Sequence, residues 1–336
     1  MYGCFPFEVC RIKKVLSGSN FLRESGFGIN SYSKKLNSFI LKYATKMSYA
    51  SVKDLVSSTC GNTTISSQQI WRIVKDNGLA ISKNQATQIE SFNASGAEIS
   101  VKKVDIYDSE AVEILYLCDD VCVKEQKEKR DEIPKEGKTF CNTRMSMLQK
   151  DDGSYQRIVA GLGIDNVAYN KAILWQNYGK KQLPIVAISD GASSLKNDLK
   201  AIFGVDIVHI LDWYHLHKKI HQTLSMISTK EDKMLHSKTL VNYLWQGKTV
   251  EAIEYLKAIK AKNESSKAML ITYLVKNESI IINYKKRKEN AKTIGSGRTE
   301  KANDILVAKR QKYNGMAWTK NGSLANTLTT ANINAM

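Results

Sequence analysis

LPIVAISDGASSLKNDLKAIFGVDIVHILDWYHLHKKI (183–220) holds the alternation on which the fold turns. LPIVAISDG is a β-branched, apolar run that stops at Asp190 and a glycine, the pattern of a buried strand ending at a site. ASSLKNDLKAIFG (192–204) reads as a helix closed by Gly204. VDIVHILD (205–212) is a second strand, feeding the helix WYHLHKKIHQTL. Strand, helix, strand, helix argues for an α/β domain.

Working outward, AVEILYLC (111–118) is a leading strand that runs into Asp119 and Asp120. KTFCNTRMSMLQ and SYQRIVAGLG flank KDDG, whose Asp-Gly is a hairpin turn signal. NVAYNKAILWQNYG (166–179) is a helix. A strand, a hairpin, a helix, a strand, a helix and a strand predict a mixed sheet flanked by helices. Residues 225–290 read as all helix, interrupting the α/β domain before GSGRTEKANDILVAKRQKYNGMAW (295–318), where a helix is expected to open at Glu300.

The first hundred residues are helical. SYSKKLNSFILKYATKM (31–47) and YASVKDLVSST (49–59) have helical spacing. SSQQIWRIVKDNG (66–78) begins at serine caps and ends at Gly78. Helix, short turn with Gly61, helix is helix-turn-helix grammar. It would put Ser66, Gln68, Gln69 and Arg72 at the exposed start of a recognition helix, with Ile70, Trp71 and Ile73 partly packed inward. An ordinary helical hairpin is the alternative.

The 336 residues carry 50 Lys and Arg against 33 Asp and Glu, a net charge of +17. An excess this large self-repels, which a polyanion would offset; ribosomal or membrane-surface binding would explain the charge equally well. Hydrophobic content of 43% suits a chain with real cores. No segment approaches the roughly 18–20 apolar residues of a membrane span. MYGCFPFEVCRIKK lacks the order of a secretion signal. Cysteines at 4, 10, 60, 118, 122 and 141 form no Cys-x-x-Cys pair, which suits a reducing compartment. A cytoplasmic protein without a membrane partner is expected.

A positive chain that also gathers carboxylates suits metal-dependent work on nucleic acid. Phosphodiester cleavage can use two Mg²⁺ (or Mn²⁺) ions about 3.5–4 Å apart, held by a few carboxylates. Asp119, Asp190 and Glu300 are the candidate ligands and catalytic residues. Asp119 directly ends its apolar run and is preferred over Asp120, since alternation sends the two to opposite faces. Asp190 could instead cap the following helix, and Glu300 could complement a helix dipole. Asp212 and His215 are possible accessory residues, since three-residue spacing at a helix start puts them on one face.

Residues 187–220 followed by 295–318 resemble bacterial insertion-sequence transposases. These belong to the DDE superfamily, with an RNase H-like catalytic core, in the branch akin to Mutator-like elements. The resemblance implies that Asp190 is the second acid and Glu300 the third. LYLCDDVCVKEQK (115–127) resembles the first-acid strand, with Asp119-Asp120 where the family has Asp-Gly. Asp212 and His215 match the family's Asp/Cys-x-x-His element.

It further implies an α/β protein organised as a helical DNA-binding region (1–103), an RNase H-like catalytic core (104–224), a helical insertion (225–292), and the last core helix with a C-terminal tail (293–336). DNA, both terminal repeats and target, is the expected partner of a homo-oligomer. Arg298, Lys301, Lys309 and Arg310 are expected to contact phosphates. LANTLTTANINAM (324–336) lacks the family's basic apolar tail, as a truncated copy would. The alternatives are an RNase H-like nuclease without transposition and an inactive DNA-binding remnant.

Overall fold

The computed structural model describes residues 32–60, 65–126, 139–149, 153–159, 161, 164–204, 207–313 and 316–335. Gly61 and the polar turn after it, the Asp-Asp of KDDG, and Cys4 and Cys10 lie outside the described residues. In chain order the elements are α1 (Lys34–Ala44), α2 (Tyr49–Thr59), α3 (Ser67–Ala94), β1 (Ile114–Lys124), β2 (Phe140–Gln149), β3 (Tyr155–Val159), α4 (Ile164–Tyr178), β4 (Ile185–Ser189), α5 (Ser193–Phe203), β5 (Val208–Leu211) and α6 (Trp213–Ile227). There follow α7 (Lys230–Trp245), α8 (Thr249–Ala258), α9 (Glu264–Asn277), α10 (Tyr284–Glu289) and α11 (Gly297–Asn303). A π-helical turn (Asp304–Ala308), α12 (Lys309–Gln311) and α13 (Lys320–Ala335) complete the series. Among the described residues, no helix is long and apolar enough to cross a membrane.

Contacts divide the chain into two units. One comprises Met1–Thr87, Val121–Thr143 and Asp304–Met336; the other comprises Gln88–Asp120 and Arg144–Asn303. In the first, α1, α2 and the start of α3 bury Ile40, Val52, Val56, Ile70 and Val74 in one apolar cluster. Ser33 and Ser48 cap α1 and α2 by accepting hydrogen bonds from backbone amides three residues on.

The expected helix stop at Gly78 is not found, because α3 continues to Ala94. Gly78 serves close packing instead. A Cβ there would lie 2.4 Å from the Ala325 Cα, so only glycine lets α13 approach this closely. The neighbouring Asn77 donates to Thr329 Oγ1 at 3.0 Å.

The second unit is mixed α/β. The sheet order is β3-β2-β1-β4-β5. β2 and β3 are antiparallel, while β4 is parallel to both β1 and β5. Ile114, Tyr116 and Cys118 of β1 pack with Ile185 and Ala187 of β4 against Val167 and Leu174 of α4 and Leu195 and Leu199 of α5. One face of the sheet is therefore sealed by α4 and α5, and the alternate residues look the other way.

The region expected to be helical after 225 is so. It is fastened to the sheet through α10, where Tyr284 donates to the Leu211 carbonyl at 2.8 Å. Fully buried Arg287 pairs with Glu113 at 2.6 Å. Trp213, Trp245 and Tyr284 pack as one aromatic cluster, with ring centroids 4.7–6.4 Å apart.

Candidate active site

The register of the parallel strands makes a row of acids. Leu117 of β1 lies opposite Ile188 of β4, and Ile188 lies opposite Ile210 of β5. Two residues further along stand Asp119, within β1, and Asp190 and Asp212, the first residues past the ends of β4 and β5. Period-2 geometry puts all three on the face away from α4 and α5, with neighbouring strands about 4.8 Å apart. Asp190 and Asp212 sit at the carboxyl ends of β4 and β5, the usual place for a site in an α/β protein, and Asp119 lies level with them on β1, which runs on to Lys124.

Asp120 points to the sealed face. Arg144 donates to both of its oxygens, at 2.7 and 2.9 Å, and also to Asp198 at 2.5 Å. Burial works against the Arg144 charge, and the Asp120 carboxylate more than offsets it, raising the guanidinium pKa. Asp119 takes the other side. Its Oδ1 accepts from the Asp120 amide at 2.9 Å, and its Oδ2 from Asn303 Nδ2 at 2.8 Å.

Asp190 is half-buried, and its Oδ1 accepts from the Ala192 amide at 2.9 Å. The Asp-Gly pair is dictated locally. Gly191 has φ +81°, and a Cβ would meet Leu211 Cδ1 at 2.7 Å and Asn277 Oδ1 at 2.9 Å. Any side chain would be strained there and would push α9 away from the strand end.

Asp212, 1% exposed, caps α6 by accepting from the amides of Tyr214 and His215 at 2.6 and 3.0 Å. Its Oδ2 also accepts from the Ser296 amide, and from Ser296 Oγ at 2.5 Å. One carboxylate thus fixes both the start of α6, which presents His215, and the turn before α11, which presents Glu300. α11 begins at Gly297, three residues before the expected Glu300. His215 Nε2 lies 2.9 Å from Glu300 Oε1, and the Glu300 side chain is 51% exposed. Asn303, three residues beyond Glu300 on the same helix face, carries the link to Asp119.

Electrostatics tie the group together. Burial pushes the Asp119 carboxyl up to about 6; His215 opposes this and the charge of Asp190 adds to it. Tyr273 of α9 is raised to about 12 by burial, with Asp190 and Asp212 contributing. Among the described residues, no three His, Cys, Asp or Glu side chains stand close enough to hold a metal ion.

Of the basic residues expected to meet phosphate, Arg298, Lys301 and Lys309 are exposed, and Arg298 lies 4.5 Å over the Tyr155 ring. Arg310 is a correction: it is 4% exposed, donates to the Ala44 carbonyl at 2.9 Å, and lies over Tyr49 and Trp318. Its charge is spent within the first unit.

At the start of α3, Gln68 and Arg72 are exposed and Gln69 is half-buried, and Ser66, just before the helix, is exposed. Ser66 Oγ accepts from the Gln69 amide at 3.1 Å. Ile70 and Ile73 are buried as expected, whereas Trp71 is exposed, with Lys75 over its ring. His217 and His221 bring their Nε2 atoms within 3.1 Å beside a cavity of about 400 Å³. Arg144 and Asn303 were not foreseen. Only the three-residue offset from Glu300 could have singled out Asn303.

No protein-family model matches the chain, and no curated protein matches it. Among solved structures, the Drosophila P element transposase strand transfer complex is similar, with a TM-score of 0.28 and 10% identity. The match covers 95% of this chain and 83% of that chain.

Proposed function

We propose that the protein is an insertion-sequence DNA transposase, in which an RNase H-like core cuts DNA at element ends and joins the freed 3′-hydroxyl to target DNA. The observation that carries this reading is the row of aspartates on three parallel strands, with Glu300 brought to it through His215 and Asn303. The resemblance of residues 187–220 and 295–318 to DDE enzymes supports it, as does the mixed sheet. The net charge of +17 supports a nucleic-acid partner.

The donors at the row are of the type a hard divalent cation takes, but in this structure they do not converge closely enough to hold one, with Glu300 engaged by His215. They are carboxylate oxygens, suited to Mg²⁺ or Mn²⁺. Asp119, Asp190 and Glu300 would hold two such ions. When bound, they supply charge neutralisation at phosphorus and a water or hydroxyl activated at neutral pH. The remaining work belongs to the chain. Asp212 sets the relative position of α6 and α11, Arg144 keeps Asp120 turned away, and His215 holds Glu300 until that pair opens. Arg298 and Lys301 offer exposed charge for phosphates. Ser66, Gln68, Gln69 and Arg72 offer a surface for terminal repeats in a helix-turn-helix reading. Joining two element ends requires at least two copies of the chain.

The test is end cleavage and strand transfer on DNA bearing the element's terminal repeats, with Mg²⁺ or Mn²⁺. Wild type should give both products. Asp119→Ala, Asp190→Ala and Glu300→Ala should each lose more than the roughly 10- to 100-fold that outer-shell losses cost. Wild-type activity in the Asp190 and Glu300 variants would overturn the reading.

The pairing of Glu300 with His215 favours one rival, a DNA-binding remnant whose acids no longer act. It predicts salt-sensitive DNA binding that is indifferent to Mg²⁺ and to Asp190→Ala.

A further inference from the structure

We propose that the cavity between α6 and α7 is a binding site for a phosphate group, held by Lys230, Lys233 and Lys238 and by the histidine pair His217 and His221. It uses none of the acids of the row, so it does not rest on the function proposed above.

Helical spacing assembles it. His217 and His221 stand one turn apart on α6, while Lys230, Lys233 and Ser237 follow at three- and four-residue steps on α7, with Lys238 beside them. All six line one cavity of about 400 Å³, within the ordinary range for small-ligand sites. None of its walls is acidic. Asp232, the neighbour of Lys233, instead accepts from Thr229 Oγ1 at 2.7 Å.

Several of these groups are already fixed in place. Lys233 is half-buried, and its Nζ donates to Ser225 Oγ at 2.7 Å, which leaves the rest of the ammonium free to donate. The His217 ring packs against Trp213, with centroids 5.9 Å apart, and against His221 at 4.3 Å. Ser237 is 8% exposed, and its Oγ lies 3.1 Å from His221 Nε2, the atom that also faces His217 Nε2 at 3.1 Å.

The charge of three ammonium groups repels a cation and favours an anion. Two imidazole nitrogens this close share one proton between them, whereas an oxyanion lets each ring donate its own. Ammonium groups, imidazoles and a hydroxyl together offer more donors than the paired oxygens of a carboxylate can use. A phosphate group presents three acceptor oxygens, and hydrogen bonds from charged donors to it are strong.

Free phosphate and a nucleic-acid backbone both carry this chemistry, and the experiment separates them. The full-length protein is titrated with inorganic phosphate, without metal, by calorimetry and by NMR of the histidine ring protons. Phosphate should shift the His217 and His221 signals and leave His236, which is bonded to Tyr255 at 2.8 Å, unmoved. Lys230→Gln, Lys233→Gln and Lys238→Gln should each weaken phosphate binding about 10-fold, the worth of one hydrogen bond from a charged group. Lys248→Gln removes an exposed charge away from the cavity and should bind as wild type.

Duplex DNA that displaces the phosphate, and binds Lys238→Gln more weakly than Lys248→Gln, identifies the backbone as the source. Duplex DNA that leaves the phosphate bound identifies free phosphate. Histidine signals that do not move, or equal losses in Lys238→Gln and Lys248→Gln, would reveal diffuse surface charge and overturn the proposal.

Discussion

Arg144 grips both carboxylate oxygens of Asp120, at 2.7 and 2.9 Å, and so decides which of two adjacent aspartates faces the row of acids. The two should behave oppositely on substitution. Asp119→Asn should abolish strand cleavage with little loss of stability, since it removes a buried carboxylate that Asp190 repels. Asp120→Ala should destabilise by about 2–3 kcal/mol, less than an isolated buried pair would lose, because Arg144 keeps Asp198. Chemical denaturation and a cleavage assay on both variants check this; equal effects on activity would refute it.

Glu113 and Arg287 form the most deeply buried ion pair described, with Arg287 fully enclosed. Glu113→Ala leaves that guanidinium with only the Ile106 and Thr293 carbonyls. A loss of about 3–5 kcal/mol is expected, read as a lowered melting temperature. A change under about 1 kcal/mol would show that water reaches Arg287.

Gly191→Ala should cost about 1–3 kcal/mol through its left-handed backbone alone. Contact of the new Cβ with Asn277 should also displace Asp190, so activity should fall further than the fraction unfolded explains. Activity that simply tracks folded protein would argue against this coupling.

Gly78→Ala should reverse the usual helix rule. Alanine normally favours a helix interior by about 1 kcal/mol over glycine. Here the added carbon would collide with Ala325, so the first unit should be destabilised. Hydrogen exchange in α13 should quicken, while exchange in β4 and β5 stays as in wild type.

His209 makes stability depend on pH. Burial lowers its pKa from 6.5 to about 4, beside Ser189 Oγ at 2.8 Å. Between those values the unfolded chain binds the proton and the folded chain does not, so stability falls as pH drops through this window. The total is about 3 kcal/mol. Asp119, raised to about 6, acts with the opposite sign, since its folded form keeps a proton that the unfolded form releases. Comparing wild type with His209→Gln isolates the histidine: the variant should lose stability less steeply from pH 6.5 to 4.

Much of the sheet could be read in the sequence because its strands are β-branched runs that end at acids, as in LPIVAISD and EILYLCD. Alternation alone put Asp119 and Asp120 on different faces, as the structure does, with Asp120 held by Arg144. What stayed hidden depends on partners remote in sequence. Gly78 reads as a helix stop until Ala325 arrives beside it. Arg310 reads as a surface cation until Tyr49 and Trp318 enclose it. Asn303 carries no pattern of its own, because its partner Asp119 lies 184 positions away.

Asp212 grips Ser296 across 84 positions, so the helical excursion from α6 to α10 is pinched shut at its neck. With both ends tethered there, the intervening helices can lengthen or shorten at a modest entropic cost, since loop closure depends only weakly on length. A block mounted this way can change without moving the strands that carry Asp119 and Asp190.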